Sequence, residues 1–159
     1  MTKVGDVFEV DVEGNCKQYL QHIANDVTQM SSNVIRVFKS KYPPNSDFDI
    51  EAVVNDEVEF YAHCITKWGV RDGVWRKTGS SENIGSGHVS VFFRDSGDVG
   101  NIQIKISQKW WVWKINEEQR FVGALEGVLR ESEIGIVLQP RHIVDRMTTG
   151  TYHFVYPGV

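Results

Sequence analysis

Histidines and carboxylates are the residues of this sequence best suited to acid–base chemistry. The histidines are scattered, at positions 22, 63, 88, 142 and 153, and none belongs to an HExxH motif. A histidine beside a carboxylate can act as a general base. One hypothesis is therefore a small hydrolase or isomerase that uses His63 or His88 with a nearby acid. It requires a concave pocket in which the two groups converge.

Metal ligands and nucleophiles are poorly arranged in this sequence. Cys16 and Cys64 form no CxxC pair, and a strand would point His63 and Cys64 to opposite faces. The acidic turn 95–101 lacks the terminal glutamate of an EF-hand loop. Ser86 lies near a histidine without a GxSxG motif around it. We therefore expect no metal, no cofactor and no catalytic serine, and two free, buried thiols.

Residues suited to binding a partner occur in two places. The glycine-rich segment 66–87 predicts a long loop, in which tryptophans alternate with basic residues. Carboxylates are concentrated after residue 116, where they form either a solvated face or a surface for a basic protein. Interfaces concentrate their binding energy in a few aromatic residues. The candidate partner-binding residues are accordingly Trp68, Arg71, Asp72, Trp75, Glu117 and Glu118.

The elements that would position these residues are mostly strands. Apolar residues alternate from Ile102 to Ile106, and Trp110, Trp111 and Trp113 then load both faces, which predicts one long strand over 102–115. Tryptophans in such a strand are usually core residues. The alternative is that they line a small-molecule cavity, so a ligand-binding barrel is a further hypothesis.

Periodicity elsewhere predicts further strands and short helices. The strands are expected at 4–12, 17–24, 34–39, 57–67, 88–94, 134–138 and 152–156. Asp47 or Asp49 could cap a helix that carries Ile50, and a second helix is expected near 125–129. A last helix should begin at Pro140 and end at Gly150.

These elements predict an α+β fold that is rich in β-structure. We expect a strongly bent antiparallel sheet or a partly open SH3-like barrel, with one or two short helices. The chain has 159 residues, 41% apolar and 24% charged, which fits one domain over 1–159.

Charge and hydropathy exclude several classes of partner. A net charge of −4 argues against nucleic-acid binding, which depends on lysines and arginines that neutralise phosphates. The sequence has no signal-peptide pattern and no apolar run of membrane-spanning length. We therefore expect a cytoplasmic protein that binds neither nucleic acid nor a membrane, and its oligomeric state stays open.

Three early segments resemble the bacterial immunity protein 26 family of polymorphic toxin systems. They are GDVFEV at 5–10, YLQHI at 19–23 and VIRVF at 34–38. The segment IVDRMTTG at 143–150 is similar to the C-terminal signature of that family. The resemblance covers residues 1–40 best and the last twenty residues next.

The resemblance implies a small, non-catalytic cytosolic protein that binds and blocks a cognate secreted toxin domain. It transfers no functional residue to this chain, because Gly5, Phe8 and Gly150 are better interpreted as turn and core positions. Residues 66–87 do not follow the family pattern. We expect that segment to determine which toxin is bound.

Overall fold

The structure is a computed structural model that describes residues 2–159, in which ten strands form two sheets and three short helices pack beside them. The strands are β1 (Asp6–Val12), β2 (Cys16–Asp26), β3 (Ser32–Phe38), β4 (Val58–Cys64), β5 (Arg76–Ser80), β6 (Phe93–Ser96), β7 (Trp110–Trp113), β8 (Arg120–Gly123), β9 (Glu133–Ile134) and β10 (Val137–Leu138). The helices are α1 (Ile50–Val54), α2 (Thr66–Arg71) and α3 (Pro140–Thr149).

The larger sheet, sheet A, has the strand order β10-β4-β3-β2-β1-β5. Its strands pair antiparallel except for β10, which runs parallel to β4. The smaller sheet, sheet B, has the order β8-β7-β6-β9, and its edge strand β9 runs parallel to β6. The predicted α+β class is therefore confirmed. The described strands form two mixed sheets and no closed barrel.

Sheet A is covered on both faces, because most of its positions are apolar. On one face Phe8, Leu20 and Phe60 pack against Ile143 and Met147 of α3. On the opposite face the core contains Val7, Tyr19 and Phe38 together with Val53 and Val54 of α1. Gly5, with a φ of 102°, ends the turn that leads into β1.

The ends of two helices follow the sequence signals. Asp49 Oδ1 accepts hydrogen bonds from the first-turn amides of α1, as an N-cap does. Pro140 occupies the first turn of α3, where no N–H is needed. Gly150 ends α3 in the left-handed conformation at φ 91°. The prediction for 140–150 is confirmed.

The prediction of a long loop over 66–87 is wrong. Residues Thr66–Arg71 form α2, and Arg76–Ser80 form β5 at the edge of sheet A. The turn between them closes with Gly73 at φ 71°. Only the end of the segment, 81–86, is irregular.

Three other predicted elements are also corrected. The aromatic strand is only Trp110–Trp113, because 102–109 forms turns that leave Ile102 and Ile106 exposed. The helix expected near 125–129 is a 3-10 turn over Gly127–Glu131, since Gly123 and Gly127 both have positive φ. Residues 152–156 form no strand.

The two sheets meet through an apolar cluster and through the chain itself. Ile23 and Val34 of sheet A pack against Phe93 and Trp113 of sheet B. The short segment 133–138 pairs first with β6 and then with β4, so it joins an edge of each sheet. The turn after β7, residues 114–119, begins beside the start of β6, because Trp113 pairs with Phe93.

Candidate functional site

The six candidate partner-binding residues separate into two surfaces and a core position. Trp68, Arg71 and Asp72 line a cavity of about 280 Å³ together with the start of α3. Arg71 bonds to Asp72 at 2.8 Å and lies 5.8 Å from the ring centre of Trp68. Glu117 and Glu118 line a different and larger groove.

Trp75 belongs to the core, so its assignment as a partner contact is corrected. Its side chain is 3% exposed and packs 6.2 Å from Phe8, ring centre to ring centre. Its Nε1 donates to the Thr66 carbonyl at 2.9 Å. A Cβ on Gly69 would lie 2.0 Å from the indole, so α2 lies directly on this ring. Trp75 therefore lies beneath α2 and supports the surface formed by Trp68, Arg71 and Asp72.

The larger groove has a volume of about 680 Å³ and lies along the β7–β8 turn. Val112 and Trp113 of β7 form its floor, and Phe92 and Phe121 form apolar walls. A second groove of about 280 Å³ also uses Phe92 as a wall. We call the two grooves together the Phe92 face. It is lined by Glu59, Phe60, Tyr61, Phe92, Val112, Trp113, Lys114, Glu117, Glu118, Arg120, Phe121, Val128, Glu131 and Glu133.

The Phe92 face is acidic. Five glutamates line it, against two basic residues, Lys114 and Arg120. Lys114 Nζ lies 5.0 Å from the ring centre of Phe92. Glutamates at the turn have exposed side chains, whereas Glu133 is largely buried. Because burial opposes ionisation, the pKa of Glu133 is raised, although Arg146 at 3.8 Å limits the shift.

Exposed apolar side chains accompany these acids. Phe121 is 54% exposed, Trp111 is 42% exposed, and their rings meet edge to face at 5.4 Å. Val128, beside the second groove, is 72% exposed. Aromatic residues next to charge are typical of binding surfaces. Sequence reasoning missed Phe92, which lies just before β6, and Phe121, whose exposure depends on the edge position of β8.

The histidine–acid pair that an enzyme would need is present but inaccessible. His63 Nε2 lies 2.8 Å from Asp26 Oδ2, and both side chains are 0% exposed. Trp113 Nε1 donates to the same oxygen at 2.9 Å. The pair fills the junction of the two sheets, where Phe93 lies 4.3 Å from the imidazole centre. In this position it serves as a structural connection between β2, β4 and β7.

Hydrogen bonds keep Asp26 ionised. Burial by itself would raise the pKa of its carboxyl group, but donors from His63, Thr28, Asn116 and Trp113 reverse this effect and lower the pKa below its ordinary value. Five donor atoms reach the two oxygens. Both oxygens of the Asp26 carboxylate thus accept hydrogen bonds from within the fold.

His88, the other candidate base, has no carboxylate beside it. It lies in a 3-10 turn, Gly87–Ser90, and its Nδ1 is buried without a hydrogen-bond partner among the described residues. Burial, and then the positive charge of Arg36, lower its pKa. The structure therefore does not bring together the acid and the base that the enzymatic hypothesis requires at this position.

The tryptophans of β7 are core residues with one exception. Trp110 and Trp113 are 0% and 2% exposed, and Trp111 faces solvent. A Cβ on Gly135 would lie 2.4 Å from Trp113, so the backbone is packed directly on this indole. Trp110 packs with Leu125 and Tyr156 on the outer side of sheet B. Of these two buried tryptophans, only Trp113 lines an open groove, the larger one described above.

Residues 2–159 contain no metal-binding cluster and no membrane-spanning helix. No group of three or more histidine, cysteine or acidic side chains could hold a metal ion there. Among the helices of that range, none has the length and apolarity required to cross a membrane.

Comparisons with known proteins add no relative. The chain matches no family model, no curated protein and no solved structure. The resemblance to immunity protein 26 therefore stays a prediction from the quoted segments.

Proposed function

We propose that this protein is a non-catalytic binding protein that neutralises a basic bacterial toxin domain by covering it with the Phe92 face. The observation that supports this proposal best is the composition of that face. It combines a concave shape, the exposed ring of Phe121 and a net negative charge around Phe92. The resemblance to an immunity-protein family gives the class of partner.

Charge and aromatic residues have different roles in this interface. Glu117 and Glu118 stand exposed on the β7–β8 turn, where they attract a positively charged surface during approach. Phe121, whose ring packs against the exposed Trp111, supplies apolar area, and burying such rings contributes most of the binding energy in typical interfaces. Occlusion of the active site of the toxin requires no reacting group on this chain.

The experiment is co-purification with the C-terminal domain of a secreted toxin encoded beside this gene, followed by an affinity measurement. We expect Glu117→Lys/Glu118→Lys to weaken binding about 100-fold, at about tenfold for each reversed charge. The loss should occur mainly in the association rate and should shrink at high salt. The control is Glu13→Lys/Asp47→Lys, which makes the same charge change at exposed positions outside the face.

Phe121→Ser tests the aromatic component separately and should increase the dissociation rate. The proposal fails if no adjacent toxin domain binds. It also fails if the control pair weakens binding as much as the Glu117/Glu118 pair does.

A further inference from the structure

Arg36, in the middle of β3, is a buried cation without an acidic partner. Its side chain lies in sheet A and the residue is 5% exposed. None of the ion pairs among residues 2–159 includes it. A buried charge without a counter-ion is costly, and the Phe38 ring at 4.7 Å offsets only part of that cost.

The hydrogen bonds of Arg36 leave one end of the guanidinium unused. Nε donates to Gln21 Oε1 at 2.9 Å, and Nη2 donates to the carbonyls of Val54 and Asn83 at 3.1 and 3.0 Å. A guanidinium has five N–H donors, so these bonds use three. The two donors on Nη1 have no acceptor among the described residues.

The irregular segment 81–88 passes over this unused end. A Cβ on Gly85 would lie 2.3 Å from Arg36 Nη1, and a Cβ on Gly87 would lie 2.7 Å from Tyr61 Oη. Glycine at both positions therefore brings the backbone close to the two polar groups. Gly85 and Gly87 are themselves exposed, so solvent reaches this segment.

Two further polar groups beside Arg36 also lack partners. Tyr61 Oη accepts and donates no hydrogen bond within residues 2–159 but is not a buried atom, whereas His88 Nδ1 is buried and unpaired. The charge of Arg36 acts on both groups: after burial, it is the next cause affecting the pKa of Tyr61 and of His88. Arg36 Nη1 and Tyr61 Oη thus lie against the glycine-rich segment that carries His88.

We propose that Arg36, Tyr61 and His88 form a binding site for a small oxyanion, with inorganic phosphate as its simplest ligand. The two Nη1 hydrogens of Arg36 and the Tyr61 hydroxyl donate to the anion, and His88 donates from Nδ1 in the matching tautomer. The negative charge of the bound anion neutralises the buried guanidinium of Arg36. This site is separate from the Phe92 face and does not depend on the proposed function.

Thermal unfolding with inorganic phosphate, against sodium chloride at equal ionic strength, tests the site. A ligand that binds only the folded state raises Tm, by about 5–10 °C at a hundredfold excess over Kd, and Tm continues to rise with the logarithm of ligand concentration. Tyr61→Phe removes one donor without changing shape and should weaken phosphate binding about tenfold. Tyr42→Phe is the matched control, because Tyr42 lies half-buried in a different cluster.

Backbone NMR provides a second measurement in the unmodified protein. Phosphate should shift the amide signals of 85–88 along a saturating curve, and the Kd from that curve should account for the rise in Tm. Arg36→Lys would remove hydrogen bonds that hold the fold, so His88→Gln is the second variant, and it too should weaken phosphate binding. A phosphate effect no larger than that of chloride overturns the proposal, as does equal stabilisation of the wild type and Tyr61→Phe.

Discussion

Asp26→Asn removes the charge at the junction of the two sheets with the smallest possible change of shape. The carboxylate accepts from His63 and Trp113 at one oxygen and from Thr28 and Asn116 at the other. An asparagine keeps one oxygen and presents an NH₂ group in place of the second. If the amide faces β7, the indole N–H of Trp113 meets another donor.

The expected decrease in the free energy of unfolding follows from the hydrogen bonds that asparagine cannot form. Two donors lose a charged acceptor, and each such bond contributes about 1.5–3 kcal/mol, so unfolding becomes easier by about 3–6 kcal/mol. Domains of ordinary stability have about 5–15 kcal/mol in total. We therefore expect Tm to fall by about 10–20 °C.

Urea denaturation followed by tryptophan fluorescence measures this change, with the exposed Asp47→Asn as the control. The pKa of Asp26 is lowered in the fold, so its contribution is complete above the unfolded pKa of about 3.9. It is lost as pH falls through the folded pKa. The difference in free energy of unfolding between the wild type and Asp26→Asn should accordingly become smaller below about pH 4. This account is refuted if Asp26→Asn lowers the free energy of unfolding by less than about 1 kcal/mol at pH 7. It is also refuted if the difference from the wild type does not depend on pH.

Three further predictions concern single positions. Gly69→Ala should destabilise the fold by about 1–3 kcal/mol in urea, although alanine favours helices, because its Cβ would collide with the buried Trp75 indole. Asp49→Ala should cost about 1 kcal/mol in the same assay through loss of the α1 N-cap bonds. Cys16 should react with a thiol reagent in the folded protein and Cys64 only after unfolding, because burial shields Cys64 and raises its pKa.

The sequence predicted those elements that carry their own end signals. Asp49 before an apolar helical pattern, and Pro140 with Gly150 around another, specify where α1 and α3 begin and end. Strands β1 to β4 were also predicted, because their alternating or continuous apolar residues match burial within sheet A. In each case the local pattern and the tertiary environment agree.

Predictions were wrong where pairing depends on distant residues. The isoleucines at 102, 104 and 106 alternate like a strand, yet this segment is held by other contacts. Ser107 bonds to Asp98 at 2.8 Å, and Ile106 forms a bridge with Gly158. Local alternation cannot reveal that no neighbouring strand is available.

The candidate site shows the same limit. Glu117 and Glu118 follow a strand end, so their exposure on a turn was predictable. Trp68 and Trp75 have similar surroundings in the sequence, and only the packing of α2 places one outside and the other in the core. Asp26 and His63 lie 37 positions apart, so no spacing rule could have paired them.

The parallel pairing of β10 with β4 has a consequence for synthesis on the ribosome. Strands β1 to β5 leave the exit tunnel early and can pair with one another, but the edge beyond β4 stays open until Val137 and Leu138 emerge. Contacts between residues so far apart in sequence form slowly. An open sheet edge on the nascent chain can pair with other chains, so stalling before residue 137 is the stage of production at which this protein is most exposed to aggregation.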